Sequence, residues 1–541
     1  MSHTELSTEV LVVGAGLGGI AAAIAAAERG AAVVLTEEHP WIGGQLTSQA
    51  VPPDEHPWIE QFGATARYRQ LRDGIRDVYR RSYPLRPEAR AWDELNPGAG
   101  WVSKLCHEPR VALAVLEEML APWRSAGRIR LLERVRPSAA SVDGDTITAV
   151  TLTSVRGDDT SVTVQADYVI DATETGELLP LSGAEYVTGF ESATETGEPS
   201  APAQAEPDNV QALSVCFVVE HVDGDHTIDK PERYDFWSSY RPDAWNGANL
   251  LSWTAPSPRT LEMDTRTFTP NPGDQALAVD ADQSRNPGDG NLWTFRRIAA
   301  ADLFDPGHYA SDLCLVNWPS IDYFLAPVLD AEPTEAARRI ADARQLSLSM
   351  LYWMQTQAPR EDGGVGFPGL RLRPDVMGSA DGLAQAVYHR ESRRIRAVTT
   401  VTENDVSYAV RGESGATRYE DSVGVGMYRI DLHPSTGGDT YIDVASTPFE
   451  IPLGALLPRR VTNLIAANKN IGTTHITNGC YRLHPVEWNI GEAAGHLAAH
   501  CLALGHTPHE VHGKTDLLLD FQQELTNAGL QLRWPSGAHP Y

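Results

Sequence analysis

Cysteine is scarce in this chain. Its 541 residues include five, Cys106, Cys216, Cys314, Cys480 and Cys501, and no two form a C-x-x-C pair. That spacing excludes paired-thiol redox chemistry, a structural zinc site and an iron–sulfur cluster, so no metal is expected. An odd, scattered set reads as reduced, buried thiols of a cytoplasmic protein. No run of about 18 uncharged apolar residues occurs, so no membrane span is expected. The opening residues lack a basic stretch followed by an apolar one, so no signal peptide is expected. Positive charge is also short: 44 Lys and Arg stand against 72 Asp and Glu, a formal net charge of −28. No Lys/Arg-rich run reverses this locally, which opposes nucleic acid and anionic membranes as partners. What remains is ordinary for a soluble globular protein, with 42% hydrophobic and 21% charged residues. A single core rarely grows past about 250–300 residues, so at least two domains are expected.

The clearest signal is at the start. Glu9 to Val13 is a β-branched run that reads as a buried strand. Gly14-Ala15-Gly16-Leu17-Gly18-Gly19 follows at once and fits G-x-G-x-x-G. Ile20 to Arg29 is alanine-rich and helical, Gly30 is placed to end it, and Ala31 to Thr36 makes a second strand before Glu37. Each part has a job in binding a dinucleotide. Gly14 permits the tight turn, Gly16 lets a pyrophosphate approach the backbone, and Gly19 lets helix and strand pack closely. The helix N-terminus offers free N–H groups and a partial positive charge to the phosphates. Glu37 can accept from a ribose diol, which argues against a 2′-phosphate. A lone glycine motif is weak; strand, helix, second strand and acid in order are not. Gly43-Gly44-Gln45-Leu46 then forms a second glycine loop, to lie along a flavin or to be a solvated turn.

Further elements suggest an interrupted flavin domain. Pro109 to Leu120 has the spacing of an amphipathic helix, Ile129 to Leu132 reads as a strand, and Thr146 to Val164 as a β-meander. Tyr168 to Thr173 is a strand ending in Asp171-Ala172-Thr173. Near the other end, Asn463 to Ala467 is a strand, Asn470 to Pro485 is a Gly/Thr/His-rich connection, and Trp488 to Leu504 is a small-residue helix. A helix starting near Val486 would point its positive end at the flavin pyrimidine ring. These segments, with Tyr388 to Ile395 and Asn463 to Gly495, resemble the FAD-dependent oxidoreductase family related to the fumarate reductase/succinate dehydrogenase flavoproteins. The stretch Gln49 to Trp58 resembles a subgroup signature. The usual Ala-Thr-Gly stands here as Ala172-Thr173-Glu174. Relatives carry a flavin-linking histidine near the second glycine loop, where this chain has Gly43 to Gln45. The resemblance therefore implies non-covalent FAD, with His39 near enough to keep a covalent link open.

The implied fold class is α/β: a Rossmann-type FAD-binding domain of parallel sheet plus β-meander, interrupted by a mixed α+β substrate or cap domain. The expected boundaries are 1–173, 174–440 and 441–541. Expected cofactor contacts are Gly14, Ala15, Gly16, Gly18 and Gly19; Glu37 and Glu38; Gly43, Gly44, Gln45 and Leu46; Val135; Ala172 and Thr173; and Asn470, Glu487, Asn489 and Ala493. In the middle, Glu191–Asp208 and Asn271–Asn291 read as mobile loops, and Pro333 to Gln357 as a long helix. Gly363 to Gly369 has no following helix signal, so it is not a second nucleotide site.

A flavin carries the hydride chemistry, and the protein supplies position, a base and charge stabilisation. His475 and His484 are the leading base candidates, with Arg482 between them to hold a carboxylate or position the flavin. Asp431 and His433 would share one face of a strand and line the pocket from the cap side. Arg390, Arg393 and Tyr428 are candidates for holding substrate, the arginines alternatively forming a salt bridge network between domains. The leading reading is a dehydrogenase or oxidase acting on an alcohol, amine or C–C bond of a small polar molecule, with electrons passing to oxygen or another acceptor. The alternatives are an FAD monooxygenase using external NAD(P)H and a non-redox flavoprotein, either an isomerase or hydratase or a structural FAD subunit. A homodimer is an open possibility.

Overall fold

The computed structural model describes residues 2–278 and 290–540. Its central sheet grows from β1 (Ser2–Val13), α1 (Leu17–Glu28) and β2 (Val33–Glu37). Val10 to Val13 are fully buried, as expected for the middle of a parallel sheet covered on both faces. Further strands are β3 (Ile129–Glu133), β4 (Val135–Asp143), β5 (Thr146–Ser154), β6 (Thr160–Asp171) and β7 (Leu464–Ala466). The order is β3-β2-β1-β6-β5-β4, with β7 also on β6. β6 is long enough to have two neighbours on one side. Its first part takes antiparallel β5 and continues the meander; its last residues take parallel β7, more than 290 residues later in sequence. Rossmann sheet and meander are therefore one continuous sheet.

Helix α1 is rich in alanine because it is enclosed. Residues Leu17 to Ala27 are all buried, largely by α6 (His484–Leu504). A Cβ on Gly491 would lie 2.0 Å from the Gly18 carbonyl oxygen, and one on Gly495 would lie 2.1 Å from that of Ala22. Only small residues permit that approach. α2 (Ala66–Ser82) and α3 (Pro109–Ser125) pack on one another. Pro109 occupies the first turn of α3, where its missing N–H costs nothing.

The intervening residues build antiparallel sheets. One joins Arg297–Ala299, Leu313–Val316, Phe217–His221 and Leu370–Leu372; another joins Asp322–Tyr323, Leu213–Ser214 and Tyr388–His389. α4 (Pro333–Thr356) covers this region. A second hydrophobic core gathers Trp237, Trp245, Trp253, Trp293, Trp318 and Trp353 with Met350 and Met354. The tryptophans thus pack an interior. Residues 191–208, expected as a mobile loop, are tied down instead. Glu191 and Glu198 are buried and receive the Arg394 guanidinium and the Glu403 backbone N–H. A buried carboxylate needs such partners, and they anchor the segment. Of the second expected loop, residues 279–289 lie outside the described residues. Among the described residues no helix is long and apolar enough to cross a membrane.

Candidate active site

The first half of the site is the nucleotide loop. Gly14 has φ +98°, and a Cβ there would lie 2.4 Å from the Ala172 carbonyl oxygen. A Cβ on Gly19 would lie 1.8 Å from the Gly14 oxygen, and one on Gly18 1.9 Å from that of Ala467. These glycines are required by backbone packing. Gly16 differs: a Cβ would meet only side-chain ends, the carboxylates of Glu487 and Glu174 at 3.2 and 3.3 Å and the Asn468 amide at 3.8 Å. The second glycine loop closes on this spot. Gly43 donates to the Ala15 carbonyl at 2.7 Å, and Gly43 and Gly44 both have positive φ. Leu46 is buried beneath the loop, and Gln45 donates to the Arg482 carbonyl at 3.0 Å and to the Glu487 carboxylate.

Electrostatics mark the same place. Glu37 ends β2 almost wholly buried, accepts the His39 backbone N–H at 2.7 Å, and is pushed by that burial to about 8. Glu38 and Val135, at the start of β4, are partly exposed. Thr173 donates to Asp171, and Asn470 donates to the Asp171 carbonyl, which fixes the end of β6. Glu174, standing where Gly is usual, pairs with Lys469 at 2.5 Å. Glu487 accepts the Gly18 N–H at 3.1 Å; burial, and then the charge of Glu174, raise it to about 7. Asn489 turns the other way, toward the strand Ser422–Gly426, and Ala493 is enclosed within α6. Glu174 faces the Gln49 amide, but Glu174 Oε1 and both amide atoms of Gln49 are buried without an aligned hydrogen bond among the described residues. A bare Gly16, the N–H groups opening α1, a buried acid closing β2 and these unpartnered atoms fit FAD.

The second half lies across the start of α6. His484 accepts the Asp54 backbone N–H at Nδ1, 3.0 Å away, and places Nε2 3.3 Å from the Val51 carbonyl. Both ring nitrogens are spent on backbone, and burial pushes the imidazole down to about 3. His484 therefore orients the Asp54 segment and has no nitrogen left for a substrate proton. His475 opens α5 (His475–Tyr481) and stacks 3.7 Å from Phe190. Its Nδ1 is 2.9 Å from Glu391 Oε2, without hydrogen-bond alignment. Burial opposes ionisation of Glu391, but His475 and Arg394 hold it down to about 2. Arg394 also pairs with Glu191, so His475 belongs to an enclosed ion network. Arg393 is turned outward to Asp330, at 2.7 Å, and to the Thr175 carbonyl.

His433 has a different setting. Its Nδ1 lies 2.5 Å from Asp322 Oδ2, and Nε2 lies 3.8 Å from Asp431 Oδ2. Asp322 is enclosed and also receives Ser214 at 2.6 Å and Arg390 at 3.0 Å. Burial opposes its charge, yet Arg390 and His433 hold its carboxyl below the usual range. Arg482 donates to Tyr388 Oη at 3.0 Å and to the Asp431 carbonyl at 3.1 Å. Arg296 faces Asp54 at 3.8 Å. Tyr428 and Tyr441 complete the surround, the Tyr441 ring 5.7 Å from that of His433. His433, Asp431, Tyr428 and Arg296 are partly exposed; Asp54, Asp322, Tyr388, Arg390 and Tyr441 are buried. Asp54, Arg296, Asp322, Tyr388 and Tyr441 carried no individual signal in the sequence, although Asp54 falls inside the Gln49–Trp58 signature. Among the described residues no group of three or more His, Cys, Asp or Glu is arranged to hold a metal.

A Rossmann sheet with two glycine loops and a buried acid, joined through Gln45 and Arg482 to a cluster of paired arginines and aspartates, defines a flavin-nucleotide enzyme. The chain belongs to the FAD-dependent oxidoreductase family, whose sequence model, described as FAD dependent oxidoreductase, matches residues 9–525. Solved structures share parts of the fold at low similarity. L-proline dehydrogenase from P. horikoshii is 15% identical, with a TM-score of 0.17 over 35% of this chain and 25% of that one. THI4 of Thermovibrio ammonificans is 16% identical, with a TM-score of 0.23 over 37% and 76%. CabE, an aromatic hydroxylase from angucycline biosynthesis, is 18% identical, with a TM-score of 0.22 over 42% and 38%. The chain thus spans only a quarter of the proline dehydrogenase it matches.

Proposed function

We propose that this FAD-dependent oxidoreductase is a dehydrogenase or oxidase of a small polar molecule, with His433 as the base. Bound without a covalent link, FAD supplies the two-electron acceptor. The observation that carries the reading is the His433–Asp322 pair. Asp322 accepts a hydrogen bond from Nδ1–H and fixes the tautomer, leaving the Nε2 lone pair free to take a proton. Removing hydride from a carbon that bears O–H or N–H releases a proton, and Nε2 receives it. The imidazolium formed is stabilised by Asp322, whose own charge is balanced by Arg390. Arg482, held by Tyr388 and Asp431, positions the substrate beside the start of α6. Electrons leave to oxygen or another diffusible acceptor. A separate NAD(P)H domain has no support in the sequence, because no second G-x-G-x-x-G opens a strand–helix unit.

The test is anaerobic bleaching of the FAD-loaded protein against alcohols, amines and hydroxy acids. His433→Gln should slow bleaching by about 10²–10⁴-fold while FAD content stays unchanged. Bleaching by NADPH alone, with oxygen-atom incorporation, would establish a monooxygenase instead. An unchanged bleaching rate in His433→Gln would remove His433 as the base.

A further inference from the structure

The cluster around His433 also says what kind of molecule it can hold, provided that it is the substrate site proposed above. Its charged groups pair off. Arg390 faces Asp322 at 3.0 Å, Arg482 faces Asp431 at 3.5 Å, and Arg296 faces Asp54 at 3.8 Å. A substrate carboxylate would have to take an arginine from its aspartate and leave that aspartate short of its cation, in a buried setting for Asp54 and Asp322, which is strongly unfavourable. An ammonium group meets the mirror problem with the arginines. A zwitterion would have to separate ion pairs at both ends.

Unmet hydrogen-bonding capacity is nevertheless abundant, and of both kinds. Asp54 Oδ1, Arg296 Nε and Nη1, Arg390 Nε, Arg482 Nε and the Tyr441 hydroxyl are buried without a hydrogen-bond partner among the described residues. Asp54 is only 4% exposed, Arg390 2% and Tyr441 3%. Buried polar atoms are rarely left unpaired, so these mark where a ligand's polar groups go. Hydroxyl groups donate and accept, and so meet both kinds of atom without separating charge. The Arg296–Asp54 pair is the loosest of the three and presents a donor beside an acceptor, which suits two adjacent hydroxyls.

We infer that the substrate is an uncharged polyol, a sugar or cyclitol, with neighbouring hydroxyls held between Arg296 and Asp54 and the hydroxyl to be oxidised facing His433. In that step the substrate O–H bond breaks and its proton goes to His433 Nε2. The C–H bond on the same carbon breaks, its hydride passes to the bound flavin, and a C=O bond forms. The alcohol is oxidised by two electrons, and FAD is reduced by the same two.

The test titrates the FAD-loaded protein, without oxygen, with myo-inositol, D-glucose, D-glucuronate and L-serine, reading both the flavin difference spectrum and bleaching. Neutral polyols should perturb the spectrum at concentrations at least tenfold lower than glucuronate or serine. Asp54→Asn should weaken polyol binding at least tenfold. Tyr441→Phe, a smaller change to a buried ring, should weaken it about fivefold with FAD content unchanged. Glucuronate or serine binding as well as the neutral polyols would overturn the inference, as would a spectrum that no neutral polyol moves. The two readings fail separately: perturbation without bleaching by polyols keeps the substrate class and removes the oxidation, whereas bleaching by an anion alone keeps the oxidation and removes the class.

Discussion

Gly16→Ala separates the need for a glycine in the fold from the need for one in the cofactor site. The backbone at Gly16 has φ −66° and ψ −172°, which any residue adopts. The new Cβ would meet only the flexible ends of Glu487, Glu174 and Asn468, at 3.2, 3.3 and 3.8 Å. Replacing glycine where its conformation is ordinary stabilises by roughly 0.4–1 kcal/mol through the unfolded chain, so the apoprotein should melt at or slightly above the wild-type temperature. The pyrophosphate, however, loses its approach to the N–H groups opening α1. Two charge-assisted bonds at about 1.5–3 kcal/mol each amount to roughly 3–6 kcal/mol, or about 10²–10⁴ in Kd. FAD titration by fluorescence quenching reads this directly. At 100 times the wild-type Kd, the stabilisation of about 2.7 kcal/mol expected from FAD should be almost absent in the variant. Gly19→Ala is the control: its Cβ would lie 1.8 Å from the Gly14 oxygen, so the apoprotein itself should be destabilised. FAD binding by Gly16→Ala within threefold of wild type would refute the assignment of the pyrophosphate to this loop.

Three further outcomes follow from buried charge and packing. Arg394→Met leaves Glu191 and Glu391 enclosed without their cation and should cost about 3–5 kcal/mol in urea unfolding; a loss under 1 kcal/mol would show that the network is not load-sharing between these groups. Glu487 has an ordinary value of 4.5 and sits at about 7 when folded, so the folded chain holds a proton that the unfolded chain releases between those limits. Stability from this group is therefore fully present below pH 4.5 and lost as pH rises through 7, a penalty on the order of 3 kcal/mol for a fully buried group. Glu487→Gln should accordingly raise the melting temperature of the apoprotein at pH 8 and have little effect at pH 4.5; equal shifts at both would contradict the titration. Trp534 donates to the Phe449 carbonyl at 2.8 Å and packs edge-on to His56 at 5.1 Å, pinning the segment that carries Asp54. Trp534→Ala should lower stability by about 2 kcal/mol with FAD content unchanged, and an unaltered unfolding midpoint would show that this contact does not hold the segment.

The helix expected from Pro109 extends to Ser125, and α6 begins at His484 rather than near Val486, because Pro485 serves as a first-turn residue. Residues 475–481, expected as part of an irregular connection, form a short helix whose start is capped by Thr474. The expected mobile loop at 191–208 is anchored, since nothing in its Pro, Ala, Glu and Ser composition reveals that Arg394 and Thr474 await two of its glutamates.

By itself the sequence determined the nucleotide-binding sheet, the pairing of FAD with it and the oxidoreductase family. These rest on local patterns: a strand, a glycine turn, a helix and an acid act through backbone geometry within a few dozen residues. Only the tertiary structure decided which polar side chains come together. Asp54, Arg296, Asp322, Arg390, His433 and Arg482 come from six separate stretches of chain and meet where the inserted sheets cross the start of α6. It also separated three similar histidines by their surroundings, since His475 is enclosed in an ion network and His484 is spent on backbone groups. Partners, burial and the direction of a lone pair are set by long-range packing, and no residue's neighbours in sequence record them.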